Sequence, residues 1–293
     1  MSASSNRNIL ITGIPRSGTT LVCSLLNKVP DVVALHEPMD VWDFAKCRDA
    51  AALAGMIENF CNDARRSLRE HGFAISKHVG GEIRDNSAAD QAGERVRQTE
   101  HGKIFIEKPL SENFTLAIKH PLAFTALLGS LSSHFDCFAV IRNPLATLAS
   151  WNSLDWLKVR KGRAPIAEKL DNGFAAKLSK ESDAIERQIQ IVEWSFIRYR
   201  EFLRPEAVLK YEELIATRAR ALGKFFPAAA AFDEDLVSKN LNKYYDRALM
   251  ADLGQRLLKR EGPLWNFYSK DDVEKLLSEI SGRGDCPQSP VGR

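Results

Sequence analysis

A short apolar run that leads straight into a glycine-rich turn is the feature that most constrains the fold of this chain. Residues 8–12 are NILIT, residues 13–20 are GIPRSGTT, and a helical stretch covers residues 19–28. A brief apolar run bounded by turn signals is typical of a strand buried on both faces of a parallel sheet. The order of strand, turn and helix therefore predicts the opening unit of an α/β fold.

Strand-like and helical stretches alternate along the rest of the chain. The predicted strands cover residues 32–35, 103–107, 114–119, 137–141 and 207–211. The predicted helices cover residues 44–71, 121–133, 144–151, 183–203 and 271–280. This alternation predicts one α/β domain over residues 1–293, with a central parallel sheet and helices on both faces. Segments 44–103 and 152–182 are expected to be insertions that shape a substrate pocket, and loops are expected at 77–101 and 155–178.

Composition and charge argue against several classes of protein. Lysine and arginine number 41 and aspartate and glutamate 38, so the formal net charge of +3 is too small to predict a nucleic-acid surface. The five cysteines are odd in number and include no Cys-x-x-Cys pair, which argues against a disulfide framework or a zinc site. There is no signal-like leader and no apolar run of about 18 residues. We therefore predict a cytoplasmic protein with no transmembrane segment, no nucleic-acid partner and no bound metal.

The turn after the first predicted strand has the spacing of a nucleotide-phosphate loop. Four residues separate Gly13 from Gly18, and Thr19 and Thr20 stand where such loops carry Lys followed by Ser or Thr. The glycines let successive N–H groups point inward, and Arg16 adds a planar charged fork. Nucleotide kinases use the lysine that is missing here on the terminal phosphates. The loop therefore predicts a phosphate or sulfate site with a cation inside the loop.

A second candidate anion site follows the strand predicted at 137–141. Arg142 stands at the carboxyl end of that strand, Pro144 opens the next helix, and Ser150 lies eight residues after Arg142. Proline is favoured in the first turn of a helix. In an open α/β sheet, ligands bind beyond the carboxyl ends of the strands, so a ligand charge is expected here. Both side chains reach one anion if the helix turns back over the strand end.

Together these segments resemble the PAPS-dependent sulfotransferases, where PAPS is 3′-phosphoadenosine 5′-phosphosulfate. The string PRSGTT at 15–20 is similar to the 5′-phosphosulfate loop of the bacterial and tyrosylprotein branches, which carry Arg where cytosolic relatives carry Lys. The string RNPLATLAS at 142–150 resembles the 3′-phosphate motif of the family. The resemblance covers residues 8–40, 114–151 and 207–214. It implies a P-loop-like sulfotransferase fold and transfer of a sulfuryl group from PAPS to a hydroxyl acceptor, with release of the desulfated nucleotide PAP.

The same resemblance implies roles for individual residues at the nucleotide. The residues it assigns to the 5′-phosphosulfate are Pro15, Arg16, Ser17, Gly18, Thr19 and Thr20, and those it assigns to the 3′-phosphate are Arg142 and Ser150. Tyr211, within the string YEEL, resembles a family tyrosine near the donor. Lys259 and Arg260 are candidates for a C-terminal loop that closes over the nucleotide, although their context departs from the Arg-Lys-Gly pattern of cytosolic members.

Sulfuryl transfer needs a base for the acceptor proton and positive charge on the oxygen that leaves with the nucleotide. Glu37 follows the second predicted strand, and the tyrosylprotein branch carries its catalytic Glu at a similar distance after the loop Arg, so Glu37 is the first candidate for the base. Lys119, before a proline, resembles the catalytic Lys of the family, and Arg16 is a second stabilising cation. His120 is the alternative base, one position from where cytosolic sulfotransferases carry their histidine.

Two neighbours of these candidates are predicted to lie elsewhere. Lys108 has a similar local sequence but lies farther upstream of the 3′-phosphate motif than Lys119, and His36 is expected to point away from Glu37 if the strand pleat persists. The acceptor stays open between a sugar, a lipid, a phenol and another small molecule. The alternatives to a sulfotransferase are a P-loop-type nucleotide-dependent phosphotransferase and a nucleotide-binding protein without catalysis.

Overall fold

The structure is a computed structural model that describes residues 7–85, 88–91 and 94–282. Its strands are β1 (Asn8–Gly13), β2 (Val32–His36), β3 (Phe73–His78), β4 (Ala88–Gln91), β5 (Glu94–Arg97), β6 (Glu100–Phe105), β7 (Thr115–Lys119), β8 (Asp136–Ile141) and β9 (Val208–Lys210). Its α-helices are α1 (Thr19–Leu26), α2 (Ala50–His71), α3 (Ala123–Leu131), α4 (Pro144–Asn152), α5 (Pro165–Leu170), α6 (Asn172–Ser179), α7 (Ala184–Phe202), α8 (Tyr211–Ala216), α9 (Arg247–Leu258) and α10 (Lys270–Gly282). Short 3₁₀ turns lie at Asp43–Lys46, Lys158–Lys161, Pro205–Ala207, Arg220–Lys224, Pro227–Ala231 and Pro263–Asn266.

Five of the strands form one parallel sheet in the order β2-β7-β1-β8-β9. The middle strand β1 pairs with β7 from Asn8↔Leu116 and with β8 from Ile9↔Asp136. Ile9, Leu10 and Leu116 are fully buried because helices flank the sheet, which explains the uninterrupted apolar runs of these strands. The predicted α/β fold with a central parallel sheet is confirmed.

This topology gathers the carboxyl ends of the parallel strands at one edge. The loop after β1 begins at Ile14, and Glu37, His120 and Arg142 directly follow β2, β7 and β8. Tyr211, predicted to end the last strand, instead begins α8 directly after β9. Because β1 lies in the middle of the sheet, its loop has the ends of other strands on both sides.

The prediction of a loop at residues 77–101 is wrong, because this region contains strands. β3 and β6 form an antiparallel pair that begins at Phe73↔Phe105, and β4 pairs with β5. A hydrogen bond from the N–H of His36 to Ser76 Oγ, at 2.9 Å, joins this hairpin to β2. The alternation of buried and exposed positions in β3 extends over only six residues and is followed by charged residues, so the sequence gives little indication of a strand here.

Two further predicted stretches differ in the structure. The segment 155–178 contains a 3₁₀ turn together with α5 and α6, which have six and eight residues and are too short to show helical periodicity. The helix predicted over 44–71 begins only after Asp49, whose side chain accepts a hydrogen bond from the N–H of Ala52 at 2.8 Å. The capping residue rather than the apolar pattern therefore sets the start of α2.

The start of α4 determines where the residues of the second predicted anion motif lie. The side chain of Asn143 accepts a hydrogen bond from the N–H of Leu145 at 3.0 Å, and Pro144 stands in the first turn. Asparagine is a favoured cap and proline is pre-organised for the first turn. The cap holds Arg142 at the end of β8 and sets the direction of the helix that carries Ser150.

The predictions about cysteines and membrane segments can be compared with the structure only over the described residues. Cys286 lies outside the described residues, and the described cysteines are free thiols: Cys23, Cys47, Cys61 and Cys137. Over residues 7–85, 88–91 and 94–282, no helix has the length and apolar character needed to span a bilayer.

Candidate active site

A cavity of about 450 Å³ opens at the carboxyl edge of the sheet. Its walls include the loop after β1, the ends of β2 and β7, and a coil around residues 235–245. This volume lies within the roughly 300–1,000 Å³ of typical small-molecule sites. The predicted site residues that line the cavity are Pro15, Arg16, Gly18, Thr19, Thr20, Glu37, Lys119, Arg142 and Tyr211.

Close backbone approaches explain the two glycines of the loop after β1. A Cβ atom on Gly13 would lie 2.5 Å from the carbonyl oxygen of Val140, and one on Gly18 would lie 2.8 Å from the ring of Tyr211. Gly18 also has a φ of 94°, and Arg16 a φ of 70°, so the loop reverses through left-handed conformations. Such conformations favour glycine. The spacing of the glycines is therefore set by packing against β8 and the start of α8.

Two hydrogen bonds tie the loop to its neighbours. The Ser17 hydroxyl donates to the carbonyl of Val140, and the indole N–H of Trp151 donates to the carbonyl of Pro15, both at 2.7 Å. Ser17 is fully buried, so its hydroxyl faces the protein interior. The structure does not bring this predicted side chain to the cavity, and its hydrogen bond positions the loop instead.

The first turn of α1 opens toward the cavity through Gly18, Thr19 and Thr20. The first N–H groups of a helix have no acceptor within that helix, and no side chain caps α1. The helix dipole adds partial positive charge at the same place. This surface therefore has the properties of an anion-binding helix start.

The two predicted anion motifs contact each other. Arg16 Nε donates to Ser150 Oγ at 3.4 Å across 134 positions of sequence, and Arg142 Nη1 donates to the carbonyl oxygen of Arg16 at 3.1 Å. Arg142 and Ser150 are both buried. We call Arg16, Arg142, Ser150 and Tyr211 the anion wall, because the cations of both motifs meet there; Arg16, Arg142 and Tyr211 line the cavity, whereas Ser150 is buried outside its lining, in contact with Arg16.

Arg142 is held by neutral acceptors. Its Nε donates to Asn240 Oδ1 at 2.8 Å, and its Nη2 donates to the carbonyl of Lys239 and to the Tyr245 hydroxyl, the latter at 3.5 Å. Its guanidinium carbon lies 4.8 Å from the centroid of the Tyr211 ring. None of these contacts neutralises the guanidinium, so the wall carries a buried positive charge that an anionic ligand would stabilise.

Tyr211 joins the anion wall to the coil around residues 235–245. Its ring packs against Gly18, and its hydroxyl accepts a hydrogen bond from the N–H of Lys239 at 2.9 Å. Burial raises the pKa of the Tyr211 hydroxyl, and Arg142 opposes that shift. Lys239 lines the cavity but was missed by sequence reasoning, since the coil has no regular pattern that could place it.

Glu37 lies in a second cluster of charges within the same cavity. Lys119 Nζ donates to Glu37 Oε1 at 2.9 Å, and His36 Nε2 donates to the same oxygen at 3.3 Å. Lys77 Nζ donates to the other oxygen, Oε2. We call Glu37, Lys119, His36 and Lys77 the carboxylate cluster.

The electrostatics of the carboxylate cluster keep Glu37 ionised. Burial alone would raise the pKa of Glu37, but Lys119, His36 and Lys77 together hold it well below its ordinary value. Burial and the charge of Lys119 lower the pKa of His36 to about 4. At neutral pH the cluster therefore contains a carboxylate, which is the form that a general base requires, beside a neutral imidazole.

The prediction that His36 points away from Glu37 is wrong. Glu37 has a φ of 48°, so the strand pleat breaks directly after β2 and the two side chains meet. Lys77 is a further member of the cluster that sequence reasoning missed, since it lies on β3 in the segment predicted as a loop. The short alternation FAISKH at 73–78 is the signal that could have found this strand.

His120, Lys259 and Arg260 also lie outside the cavity lining. His120 is buried, its Nε2 accepts a hydrogen bond from the N–H of Met39 at 3.3 Å, and burial lowers its pKa to about 3. Arg260 donates to Glu186 on α7, and Lys259 follows the end of α9. Arg260 is therefore held by an ion pair with α7, and the buried His120 faces the core behind the carboxylate cluster.

Lys108 has a structural role. Its Nζ donates to the carbonyls of Asn27 at 2.8 Å, Val29 at 2.6 Å and Val32. These carbonyls belong to the turn between α1 and β2, so the lysine ties that turn together. Burial lowers the pKa of Lys108 to about 8. Lys119, by contrast, lines the cavity.

Comparison with known proteins finds similarity among solved structures. No protein-family model matches the chain, and no curated protein matches it. Among solved structures, the chain is similar to the sulfotransferase STF1 from Mycobacterium tuberculosis H37Rv, with 13% sequence identity and a TM-score of 0.31 over 94% of this chain and 77% of that chain. A similarity at this level supports no statement about the site, whose function is inferred below from its own geometry.

Proposed function

We propose that this chain is a sulfotransferase that transfers a sulfuryl group from PAPS to a hydroxyl acceptor and releases PAP. The observation that carries the proposal is the contact between the two anion motifs, from Arg16 Nε to Ser150 Oγ and from Arg142 Nη1 to the Arg16 carbonyl. A donor with phosphate groups at both the 3′ and 5′ positions needs two cationic sites within one cavity. The carboxylate cluster in the same cavity supplies the groups that transfer would need.

The residues present fit such a donor. The helix start at Gly18–Thr20 and the side chain of Arg16 would hold the 5′-phosphosulfate, and Arg142 with Ser150 would hold the 3′-phosphate. Arg142 already makes hydrogen bonds to the carbonyl of Lys239 and to Asn240. Binding of a phosphate there would therefore exchange these neutral acceptors for a charged one, which makes stronger hydrogen bonds with a guanidinium.

The carboxylate cluster would perform the transfer. A bond forms between the acceptor oxygen and sulfur, while the bond between sulfur and the 5′-phosphate oxygen breaks. Glu37 would take the acceptor proton, and Lys119 would stabilise the negative charge that develops on the leaving oxygen. Of the two candidate bases, Glu37 is favoured because it lines the cavity, whereas the His120 ring is buried beside Phe44 and Phe124.

Lys119 links donor binding to the strength of the base. In the structure its Nζ is 2.9 Å from Glu37 Oε1, and it is one of the charges that lower the pKa of Glu37. When Lys119, which has three N–H donors, also donates to the leaving oxygen while it stays at Oε1, its charge is shared, so Glu37 loses part of this stabilisation and its pKa rises. The carboxylate would then become a better proton acceptor at the moment when the donor is in place.

Calorimetric binding of PAP in the presence of EDTA tests the donor site. The proteins to compare are wild type, Arg16→Ala, Arg142→Ala and the control Arg66→Ala, which removes an exposed arginine paired with Asp63 on α2. We expect PAP to bind wild type and the control equally. Each of the other two variants should lose about tenfold or more in affinity, which is about 1.4 kcal/mol.

Two results would overturn the proposal. Absence of PAP binding to wild type would remove the donor site altogether. Binding and turnover of ATP with Mg²⁺, in place of PAP, would favour a phosphotransferase instead. Once PAP binding is established, transfer from ³⁵S-labelled PAPS to sugars, lipid alcohols and phenols would identify the acceptor. Tight PAP binding without transfer to any of these acceptors would favour a nucleotide-binding protein without catalysis.

A further inference from the structure

Lys77 reaches the carboxylate cluster from outside the parallel sheet. It lies on β3, which pairs with β6, and its Nζ donates to Glu37 Oε2. Neither predicted anion motif contains it. The β3–β6 hairpin therefore contributes a cation to a site whose other members come from the ends of β2 and β7.

The two oxygens of Glu37 differ in what surrounds them. Oε1 accepts hydrogen bonds from Lys119 and His36, whose side chains are only 2% and 6% exposed. Within the described residues, Oε2 accepts from Lys77 and from no other donor, and the Lys77 side chain is 29% exposed. A carboxylate oxygen has about two lone-pair sites. Both sites of Oε1 are thus occupied by buried donors, while Oε2 keeps one site for another donor.

We infer that Oε2 is the atom that receives the acceptor proton, and that Lys77 is a positioning residue that holds this oxygen toward the cavity. This inference rests on the proposed sulfotransferase function. The acceptor hydroxyl donates to the second lone pair of Oε2 beside Lys77. As its oxygen bonds to sulfur and the bond from sulfur to the 5′-phosphate breaks, its proton passes to Oε2.

The charges around Glu37 determine what loss of Lys77 would do. The groups that face the carboxylate are Lys119 from β7, His36 from β2 and Lys77 from β3, with His120 and Cys23 buried nearby. Lys119 and Lys77 are the two cations that contact it. Removal of Lys77 leaves one of them, so the pKa of Glu37 should rise and its carboxylate should gain mobility.

The hairpin itself has attachments that do not depend on Lys77. Ser76 Oγ accepts a hydrogen bond from the N–H of His36 at 2.9 Å, and His101 Nε2 donates to the carbonyl of Pro38 at 3.1 Å. A neutral residue at position 77 therefore changes the charge at Oε2 while these contacts keep β3 beside β2. Substitution of Lys77 therefore tests the positioning of Glu37 without unfolding the hairpin.

The test is a carboxyl ¹³C NMR titration of Glu37, with its resonance assigned by its loss in Glu37→Gln. The variants are Lys77→Met, Lys77→Gln as a second neutral variant, Lys77→Arg as the conservative one, and Lys103→Met as a control. Lys103 lies on β6 of the same hairpin, over the ring of Phe73. We expect the Glu37 midpoint to rise by about one pH unit or more in both neutral variants and to stay near wild type in the other two.

Calorimetry with PAP on the same proteins distinguishes failure of the role proposed for Lys77 from failure of the proposed function. We expect PAP affinity to be unchanged by every substitution at position 77, since Lys77 is not part of the anion wall. If PAP binds but the Glu37 midpoint in Lys77→Met equals that in Lys103→Met, the role of Lys77 is overturned while the proposed function stands. If PAP does not bind wild type, the proposed function fails and this inference fails with it.

Discussion

The anion wall and the carboxylate cluster lie at one cavity but carry charge in opposite ways. In the anion wall, Arg142 donates to carbonyl, amide and hydroxyl groups, and the Glu212 carboxylate is joined to it through the side chain of Asn240 rather than by direct contact. In the carboxylate cluster, Lys119 and Lys77 both contact Glu37. A buried guanidinium without a carboxylate in contact favours an anionic ligand, whereas the cations around Glu37 keep it in the carboxylate form that a base requires. We therefore expect affinity to depend on the anion wall and turnover on the carboxylate cluster.

The largest expected effect comes from removal of the proposed base, Glu37. Glu37→Gln should lower turnover by about a hundredfold or more, because the amide cannot take a proton from the acceptor. Its affinity for PAP should match wild type, since Glu37 is not in the anion wall. Transfer from labelled PAPS to an acceptor found by screening measures the first quantity, and calorimetry the second. Near-normal turnover of this variant would remove Glu37 as the base and break the division between the two regions.

The next largest effect separates two lysines of similar local sequence. Lys119→Met should lower turnover by about a hundredfold through loss of charge stabilisation in the transition state. Lys108→Met should leave turnover and PAP affinity unchanged but destabilise the fold by about 1–3 kcal/mol, because it leaves buried carbonyls without donors. Urea unfolding of both variants, beside the transfer assay, checks the pair. Equal loss of turnover in the two variants would contradict the assignment.

A smaller effect concerns acid stability behind the carboxylate cluster. Burial lowers the pKa of His120 to about 3, against about 6.5 in an unfolded chain. Between these values the unfolded state takes up a proton that the folded state does not, so stability should fall as pH falls from about 6.5 toward 3. His120→Asn keeps an acceptor for the N–H of Met39 and should reduce this dependence, leaving the part that comes from His36, whose pKa is lowered to about 4. Melting temperatures across this range test it, with the exposed His71→Asn as the control that should not change the slope.

The smallest effect is expected at the C-terminal basic pair. Arg260→Ala should leave PAP affinity within about twofold of wild type, because Arg260 pairs with Glu186 on α7. Calorimetry under the conditions used for Arg142→Ala gives a direct comparison. A loss of affinity as large as that of Arg142→Ala would mean that the anion wall extends to the end of α9.

The anion wall could be predicted from the sequence because each of its motifs is continuous. Arg16 lies within a loop whose glycines mark the turn, and Arg142 and Ser150 share one strand end and helix. Burial on both faces makes the parallel strands continuous apolar runs, so the fold class could be predicted in the same way.

The carboxylate cluster could be predicted only in part. Glu37 and Lys119 stand at the ends of recognisable strands. The position of Lys77 depends on how β3 pairs with β6, and the sequence of a six-residue strand does not distinguish two registers that differ by one residue. The position of His36 depends on a single left-handed φ at Glu37. A backbone conformation of this kind is rare for a residue other than glycine and has no signature in the local sequence.

A crystal structure of the chain with PAP would show whether the anion wall holds the nucleotide. We predict the 5′-phosphate at the N–H groups of the first turn of α1, and the 3′-phosphate within hydrogen-bond distance of Arg142 and Ser150. We also predict that Glu37 and Lys119 face the side of the 5′-phosphate where the sulfuryl group would lie. A nucleotide bound outside this cavity, or one whose 3′-phosphate contacts neither Arg142 nor Ser150, would contradict this prediction.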